Sequence, residues 1–261
     1  MVHHFFSPEP QARIEPAEFM AHLLAYQGLE AASFGLRPTV LLPLIPVLER
    51  RLLRTLGTPP AHPYKLQGQA LYNPAQYPFS IIASPMGAPT AVMLLEQLVA
   101  LGARHFLYLG FCGALATAYR IGDCFLPQRA VREEGTSYHY LPAEIIPTSS
   151  VRLNTILLTQ AADKRLPVRQ GPIWSTDAPY RETVHKIQYY QNAGIHAVDM
   201  EMAALLAVGH YRGCEITALL IVSDECYHPV WKPGFGLQRL RQACQAAAEV
   251  CIAAATAIAA G

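Results

Sequence analysis

The chain has 261 residues, 52% of them hydrophobic and 15% charged, enough apolar side chain for an ordinary globular core, which excludes a disordered tail or a mini-protein. Twenty Lys and Arg against nineteen Asp and Glu leave a formal charge of +1, with the basic residues scattered as singles and pairs such as Arg50-Arg51, so no nucleic-acid partner is expected. No basic-then-apolar leader opens residues 1–6, no uncharged apolar run reaches membrane-spanning length, and the six Cys form no CxxC pair, so the expectation is a soluble cytoplasmic protein with reduced thiols and no membrane partner.

In chain order, residues 1–38 read as an irregular, partly helical extension with a helix at Pro16–Tyr26, and residues 39–261 as one α/β domain, because no linker or repeat divides them. Residues 39–42 predict a strand, and Pro46 opens a helix that Gly57 and Pro59-Pro60 stop near 56. A strand at 79–83, a turn through Gly87, a helix at 90–101 and a strand at 104–109 make a βαβ unit, which implies parallel pairing. The small-residue turn Gly110-Phe111-Cys112-Gly113 is expected to close that strand. Further strands are expected at 121–130, 168–173, 196–198 and 216–222, and helices at 149–166, 183–192, 199–211 and 237–260. The last helix is Ala-rich, but Glu249 interrupts it, and it reads as a packed surface helix. The alternation predicts a mixed, largely parallel central sheet flanked by helices, in which ligands bind beyond the carboxyl ends of the strands.

Four clusters fall at such ends. Gly110-Phe111-Cys112-Gly113-Ala114 lets a ligand approach backbone N–H groups, or is a plain tight turn. A sharper alternative makes Cys112 a nucleophile on a strand-to-helix elbow with Asp224 and His228 as partners, although Ala114 stands where an elbow carries Gly. Trp174 to Glu182, with Asp177, Tyr180 and Arg181, sets aromatic rings among polar groups suited to a planar heterocycle, and also fits an Asp/Pro turn capping the next helix. Asp199-Met200-Glu201 puts two carboxylates where a strand becomes a helix, either to accept paired sugar hydroxyls or to complement the helix dipole. Ser223-Asp224-Glu225 ends the most apolar strand with a carboxyl group that can serve as a general acid or as a cap. The segment 132–140, with His139, is polar and aromatic enough to line a pocket or a subunit contact. The ten His show no metal-binding spacing, and neither GxxxxGK[ST] nor GxGxxG occurs, so no metal, nucleotide triphosphate or dinucleotide cofactor is expected.

Together these stretches resemble the purine nucleoside phosphorylase and uridine phosphorylase superfamily, nucleosidases included. Val198-Asp199-Met200-Glu201-Met202-Ala203-Ala204 is similar to its V-E-M-E-x-A-A ribose motif, and Ile221-Val222-Ser223-Asp224 to the V-S-D of its purine branch. Met86-Gly87-Ala88-Pro89, Leu109-Gly110-Phe111-Cys112-Gly113-Ala114 and Ile121-Gly122-Asp123 resemble its M-G-x-P, glycine and V-G-D turns, and residues 133–140 and 176–182 look like a bacterial subgroup of nucleoside phosphorylases. The resemblance implies a phosphorylase/hydrolase-like fold and cleavage of a nucleoside N-glycosidic bond. Met200 would then underlie the ribose, Glu201 would accept its hydroxyls, Asp224 would protonate or hydrogen-bond the purine at N7, and Trp174–Glu182 would hold the base. It also implies a homo-oligomer, from dimer to hexamer, in which His3 or His4 of a neighbour completes the site.

The family's phosphate ligands are a Gly and an Arg in a G-D-P-x-R turn, an Arg before the glycine turn and a Ser or Thr within it; Leu44, Leu48, Tyr108 and Phe111 stand in their places. Without a guanidinium or hydroxyl, a dianion would be desolvated with nothing to offset it. Water is therefore favoured over phosphate as acceptor, unless Lys65, Arg50 or Arg51 supplies a substitute charge. The hydrolase reading lacks a carboxylate base on 44–48, and Glu49 comes only later. A phosphorylase with a non-standard phosphate site, a repurposed enzyme or ligand-binding protein on the same scaffold, and the Cys112 hydrolase are the alternatives.

Overall fold

Prolines near helix starts and glycines beyond helix ends punctuate the chain much as the sequence predicts. The computed structural model describes residues 5–9 and 11–261, apart from the side chains of Pro63 and Tyr64; His3 and His4 lie outside the described residues. The helices are α1 (Pro16–Tyr26), α2 (Ile45–Thr55), α3 (Ala88–Ala100), α4 (Val151–Asp163), α5 (Val184–Asn192), α6 (Met202–Arg212) and α7 (Gln238–Ala260). The strands are β1 (Thr39–Pro43), β2 (Ala61–Leu66), β3 (Gln69–Tyr72), β4 (Ser80–Ile82), β5 (His105–Ala114), β6 (Cys124–Glu133), β7 (Val168–Thr176), β8 (Ala197–Asp199), β9 (Glu215–Glu225) and β10 (Lys232–Pro233). Pro16, Pro46 and Pro89 sit in first turns, where a missing N–H costs nothing. The side chains of Ser150 and Thr183 cap α4 and α5, and Gly213, left-handed at φ 64°, ends α6.

The strands form one mixed sheet in the order β10-β9-β6-β7-β8-β5-β1-β4-β3-β2. Its long ladders, β1–β5, β5–β9 and β6–β7, are parallel, and the antiparallel ones are short. A further pairing of β9 with β5 closes β5, β9, β6, β7 and β8 into a ring. Two apolar layers cover the sheet. Met20 and Leu24 of α1, Leu95 and Leu98 of α3 and Leu205 of α6 fill one; Leu48 and Leu52 of α2, Leu157 of α4 and Val250 and Ala254 of α7 fill the other. The architecture is therefore the α/β fold expected from the alternation, and Met20, Leu24 and Phe34 of the N-terminal extension belong to the same core. Helix α7 is apolar and long enough to cross a membrane by composition alone, with a mean hydropathy of 1.6. Here it packs on α2, α4, β1, β5 and β9. All six cysteines are free and buried.

Two local features depart from what the sequence predicts. The first is the glycine turn: β5 does not stop at 109 but runs through Gly110-Phe111-Cys112-Gly113 to Ala114, paired throughout with β9. The glycines keep the strand clear of its neighbours. A Cβ on Gly110 would lie 2.6 Å from Cε1 of Tyr108, and one on Gly113 would lie 2.7 Å from Sγ of Cys226. The second is the β2–β3 hairpin, which no alternating apolar pattern announces; Gln67 and Gly68 turn it with φ of 50° and 75°.

Gly110→Ala should therefore overpack the centre of the sheet and cost about 1–3 kcal/mol in urea unfolding. Gly135→Ala, whose added carbon would meet nothing nearer than 3.8 Å at an ordinary φ of −82°, should stay within about 0.5 kcal/mol of the parent.

Candidate functional site

The ends of β5, β8 and β9 enclose, with the turn before α3 and the segment after β9, a cavity of about 770 Å³. Phe111, Cys112 and Gly113 come from β5, Val198 and Asp199 from β8, and Ser223 and Asp224 from β9; Met200 and Glu201 lie between β8 and α6. Met200, Glu201 and Asp224 thus share one cavity. The β5–β9 register explains how. It runs residue for residue to Cys112↔Val222 and then jumps to Gly113↔Asp224, leaving Ser223 as the extra residue of a bulge. Such a bulge bends the strand end and re-aims the side chains beyond it.

Each carboxyl group in the cavity has its own environment. Glu201 is 2% exposed, and its Oε1 accepts the Gly87 N–H at 2.7 Å. The buried Tyr108 hydroxyl lies within reach of Glu201 but makes no well-formed hydrogen bond in this structure. Asp199 is committed to the backbone: Oδ1 accepts the Ser175 hydroxyl at 2.5 Å, and Oδ2 accepts the N–H groups of Met202 and Glu201 at 2.8 and 3.1 Å. Burial raises both carboxyls above their ordinary range, and for Glu201 repulsion from Asp199 adds to it. Asp224 is half-buried and ringed by donors: Ser223 Oγ to Oδ1 at 2.7 Å, and Cys226 Sγ and Trp231 Nε1 to Oδ2 at 3.2 and 2.9 Å. Glu182 also lines the cavity, and its pKa is raised to about 7, first by burial and then by the negative charge of Asp224.

Among the described residues, the charged groups that line the cavity are thus all acids, with His228 as the one imidazole. Apolar Leu44, Ile45, Met86 and Phe111 form another part of the wall. Leu48 and Tyr108 are buried in the core instead. Neither Lys65, Arg50 nor Arg51 lines the cavity, and neither does Glu49 on α2. The neighbouring Glu225, 2% exposed, accepts from His228 Nε2 at 2.8 Å and Lys232 Nζ at 2.9 Å, and these donors hold its pKa down at about 2.

Several expected ligand residues stand elsewhere. Trp174 is fully buried beneath Tyr190, ring centroids 4.3 Å apart, because β7 places it inside the sheet rather than beyond its end. Asp177 and His139 line a second cavity, and Asp177 Oδ2 is taken by the Gly135 N–H at 2.9 Å. Arg181 is exposed and lines neither, whereas Tyr180 is fully exposed and lies on the wall of the first cavity. Asp199 lines the cavity as a helix-capping group with both oxygens occupied. Cys112 reaches the cavity from within a strand, not from an elbow, and burial raises its thiol well above the ordinary range, which leaves it neutral and a poor nucleophile. Glu182, Gln188, Gln191, Tyr227 and Trp231 are not singled out by the sequence, although Glu182 sits in a stretch that is.

Comparison with known proteins agrees with this architecture. A family model described as the phosphorylase superfamily matches residues 56–259. A guanosine phosphorylase of Halorubrum lacusprofundi is 32% identical over 143 residues, 55% of this chain and 59% of that protein, so the chain spans about three fifths of that relative's length. A uridine phosphorylase of Treponema pallidum is 26% identical over 211 residues, 75% of this chain and 80% of that protein. The crystal structure of a purine nucleoside phosphorylase from Toxoplasma gondii in complex with immucillin-H has the same fold, with a TM-score of 0.79 over 89% of this chain and 94% of that one, at 18% identity. With this family model matching most of its length, the chain belongs to the phosphorylase superfamily.

Proposed function

We propose that the cavity binds a purine-type nucleoside and that the N-glycosidic bond is cleaved there with water as the acceptor. The observation that carries this reading is the single cavity shared by Met200, Glu201 and Asp224. Met200 lies under the sugar, Glu201 meets its 2′ and 3′ hydroxyls, and Asp224 stabilises the base as it leaves through N7. Glycosidic cleavage of this kind passes through an oxocarbenium-like state, so groups that bind the departing base and orient the acceptor lower the barrier most. Water adds to C1′ as the bond to N9 breaks, keeping one hydrogen as the new hydroxyl and giving the other to solvent, while a proton reaching N7 through Asp224 leaves with the base as its N–H. Glu182, whose pKa is raised to about 7, offers an O–H to an acceptor atom of the base in its protonated form.

The acceptor assignment rests on charge. A phosphate dianion entering a cavity lined by Glu182, Asp199, Glu201 and Asp224 would lose its hydration against carboxyls and the apolar Leu44, Ile45 and Phe111. Neutral water carries no such cost. The names of the relatives, guanosine phosphorylase and uridine phosphorylase, favour a nucleoside and make phosphorolysis the rival outcome.

Incubation with a panel of purine and pyrimidine nucleosides, with and without phosphate, should release purine base at the same rate in both. Release only with phosphate would overturn the acceptor assignment, and no release from any nucleoside would favour a binding protein. Asp224→Asn should lower purine release by about a hundredfold with an unchanged circular dichroism spectrum; an unchanged rate would remove its role. Because Glu182 binds its proton more tightly folded than unfolded, its contribution is fully present below its ordinary carboxyl range and is lost as pH rises through about 7. Glu182→Gln should therefore melt roughly 2–5 °C higher than the parent at pH 8 and show no such gain at pH 4.

A further inference from the structure

After β9 the chain doubles back over the cavity in a strap, residues 226–236, that supplies Cys226, Tyr227, His228, Pro229, Trp231 and Phe235 to its wall. The strap is fastened. Lys232 and Pro233 pair with Glu225 and Asp224, the Gly234 N–H donates to the Ser223 carbonyl at 2.8 Å, and both His228 and Lys232 meet the buried Glu225 carboxylate. A Cβ on Gly234 would lie 2.6 Å from that carbonyl, so backbone and strand are in close contact. Trp231, at the strap's exposed crest beside Val230, is itself 58% exposed, yet its indole turns inward and gives its N–H to Asp224 Oδ2 at 2.9 Å. The other two donors to Asp224, Ser223 and Cys226, are buried at the strand end. The indole is thus the donor that a change of side-chain rotamer can withdraw while the strap stays in place.

We propose that Trp231 is a specificity-determining residue of this site, its indole N–H occupying on Asp224 the place of the ring N–H of a purine base, which displaces it on binding. The inference rests on the nucleoside reading above. Indole and purine are both fused five- and six-membered aromatic rings, and indole, like a purine base protonated at N7, carries an N–H donor on the five-membered ring. A purine base carrying its proton at N7, as the departing base does, exchanges one such hydrogen bond to Asp224 for another. A ring without such an N–H breaks the indole bond and replaces it with nothing, so the exchange favours the departing purine both over a base with no donor on a five-membered ring and over the intact nucleoside, whose N7 only accepts. Rotation of the indole also frees an aromatic face at the rim of the cavity for contact with the bound ring.

Calorimetric titration with hypoxanthine of the parent protein, Trp231→Phe and Asp224→Asn tests this. Phenylalanine keeps an aromatic ring and removes the competing N–H, so Trp231→Phe should bind the base about fivefold more tightly than the parent, and Asp224→Asn more weakly. Intrinsic fluorescence gives a second readout in the unsubstituted protein, because Trp174 is fully buried and Trp231 is exposed. Hypoxanthine should change the emission saturably in the parent, with the calorimetric affinity, and leave that of Trp231→Phe unaltered. Equal or weaker binding by Trp231→Phe, or an emission change that persists without Trp231, overturns the proposal while the nucleoside reading stands. Failure of all three proteins to bind either hypoxanthine or inosine overturns both.

Discussion

The parallel ladder between β5 and β9 sets the site. It holds through ten paired positions because Gly110 and Gly113 carry no side chain into Tyr108, Leu220 or Cys226, and it breaks its regular step only at Ser223. That one bulged residue turns the end of the most apolar strand, so that Asp224 emerges beside Gly113 and opposite the Val198–Glu201 segment, which pairs with the other edge of β5 through Gly113↔Val198. The acid assigned to the base and the acid assigned to the sugar thus reach one cavity through a strand that both neighbour. Ladder hydrogen bonds are individually modest, but a register is all-or-none, since a one-residue slip would move every side chain to the opposite face.

Burial then differentiates acids of the same chemistry. Asp199 and Glu201 are two residues apart and both raised by desolvation, yet Asp199 spends its oxygens on Ser175 and on the first N–H groups before α6, while Glu201 keeps capacity toward the cavity and the Gly87 turn. Glu225, one residue beyond Asp224, goes the other way: Lys232 pairs with it and His228 hydrogen-bonds it, and together they make it the anchor of the strap. An anchored strap is what allows an exposed tryptophan to reach back and hold Asp224. The acidity of the cavity and the placement of the strap are therefore linked, since the same strand end supplies the acid that faces the ligand and the acid that fastens its cover.

Helices and strands are legible wherever an apolar period is bounded by Pro, Gly, Ser or Thr, as in α1, α4, α5 and β1. The hairpin of β2 and β3 is not, because Leu66 and Leu71 are its buried side chains among the described ones, too few to set an alternating pattern. The glycine-rich end of β5 reads as a turn because glycine is disfavoured in strands, and only the close approach of neighbouring strands reverses that preference. Likewise Trp174, Asp177 and His139 carry the right chemistry for a ligand, but the sheet turns Trp174 into its interior, and the chain beyond it carries Asp177 to a separate cavity with His139.

By itself the amino-acid order determined the alternation of elements and the placement of acids at strand ends, because each of these is a local property of spacing and side-chain type. Which acids face the same space, which are spent on capping, and that Glu182 and Trp231 stand among them were decided only by tertiary structure. Residues 87, 182, 201, 224 and 231 are brought together by strand register and by a strap folded back on the sheet, and long-range pairing of that kind leaves no signature in any short stretch of the chain.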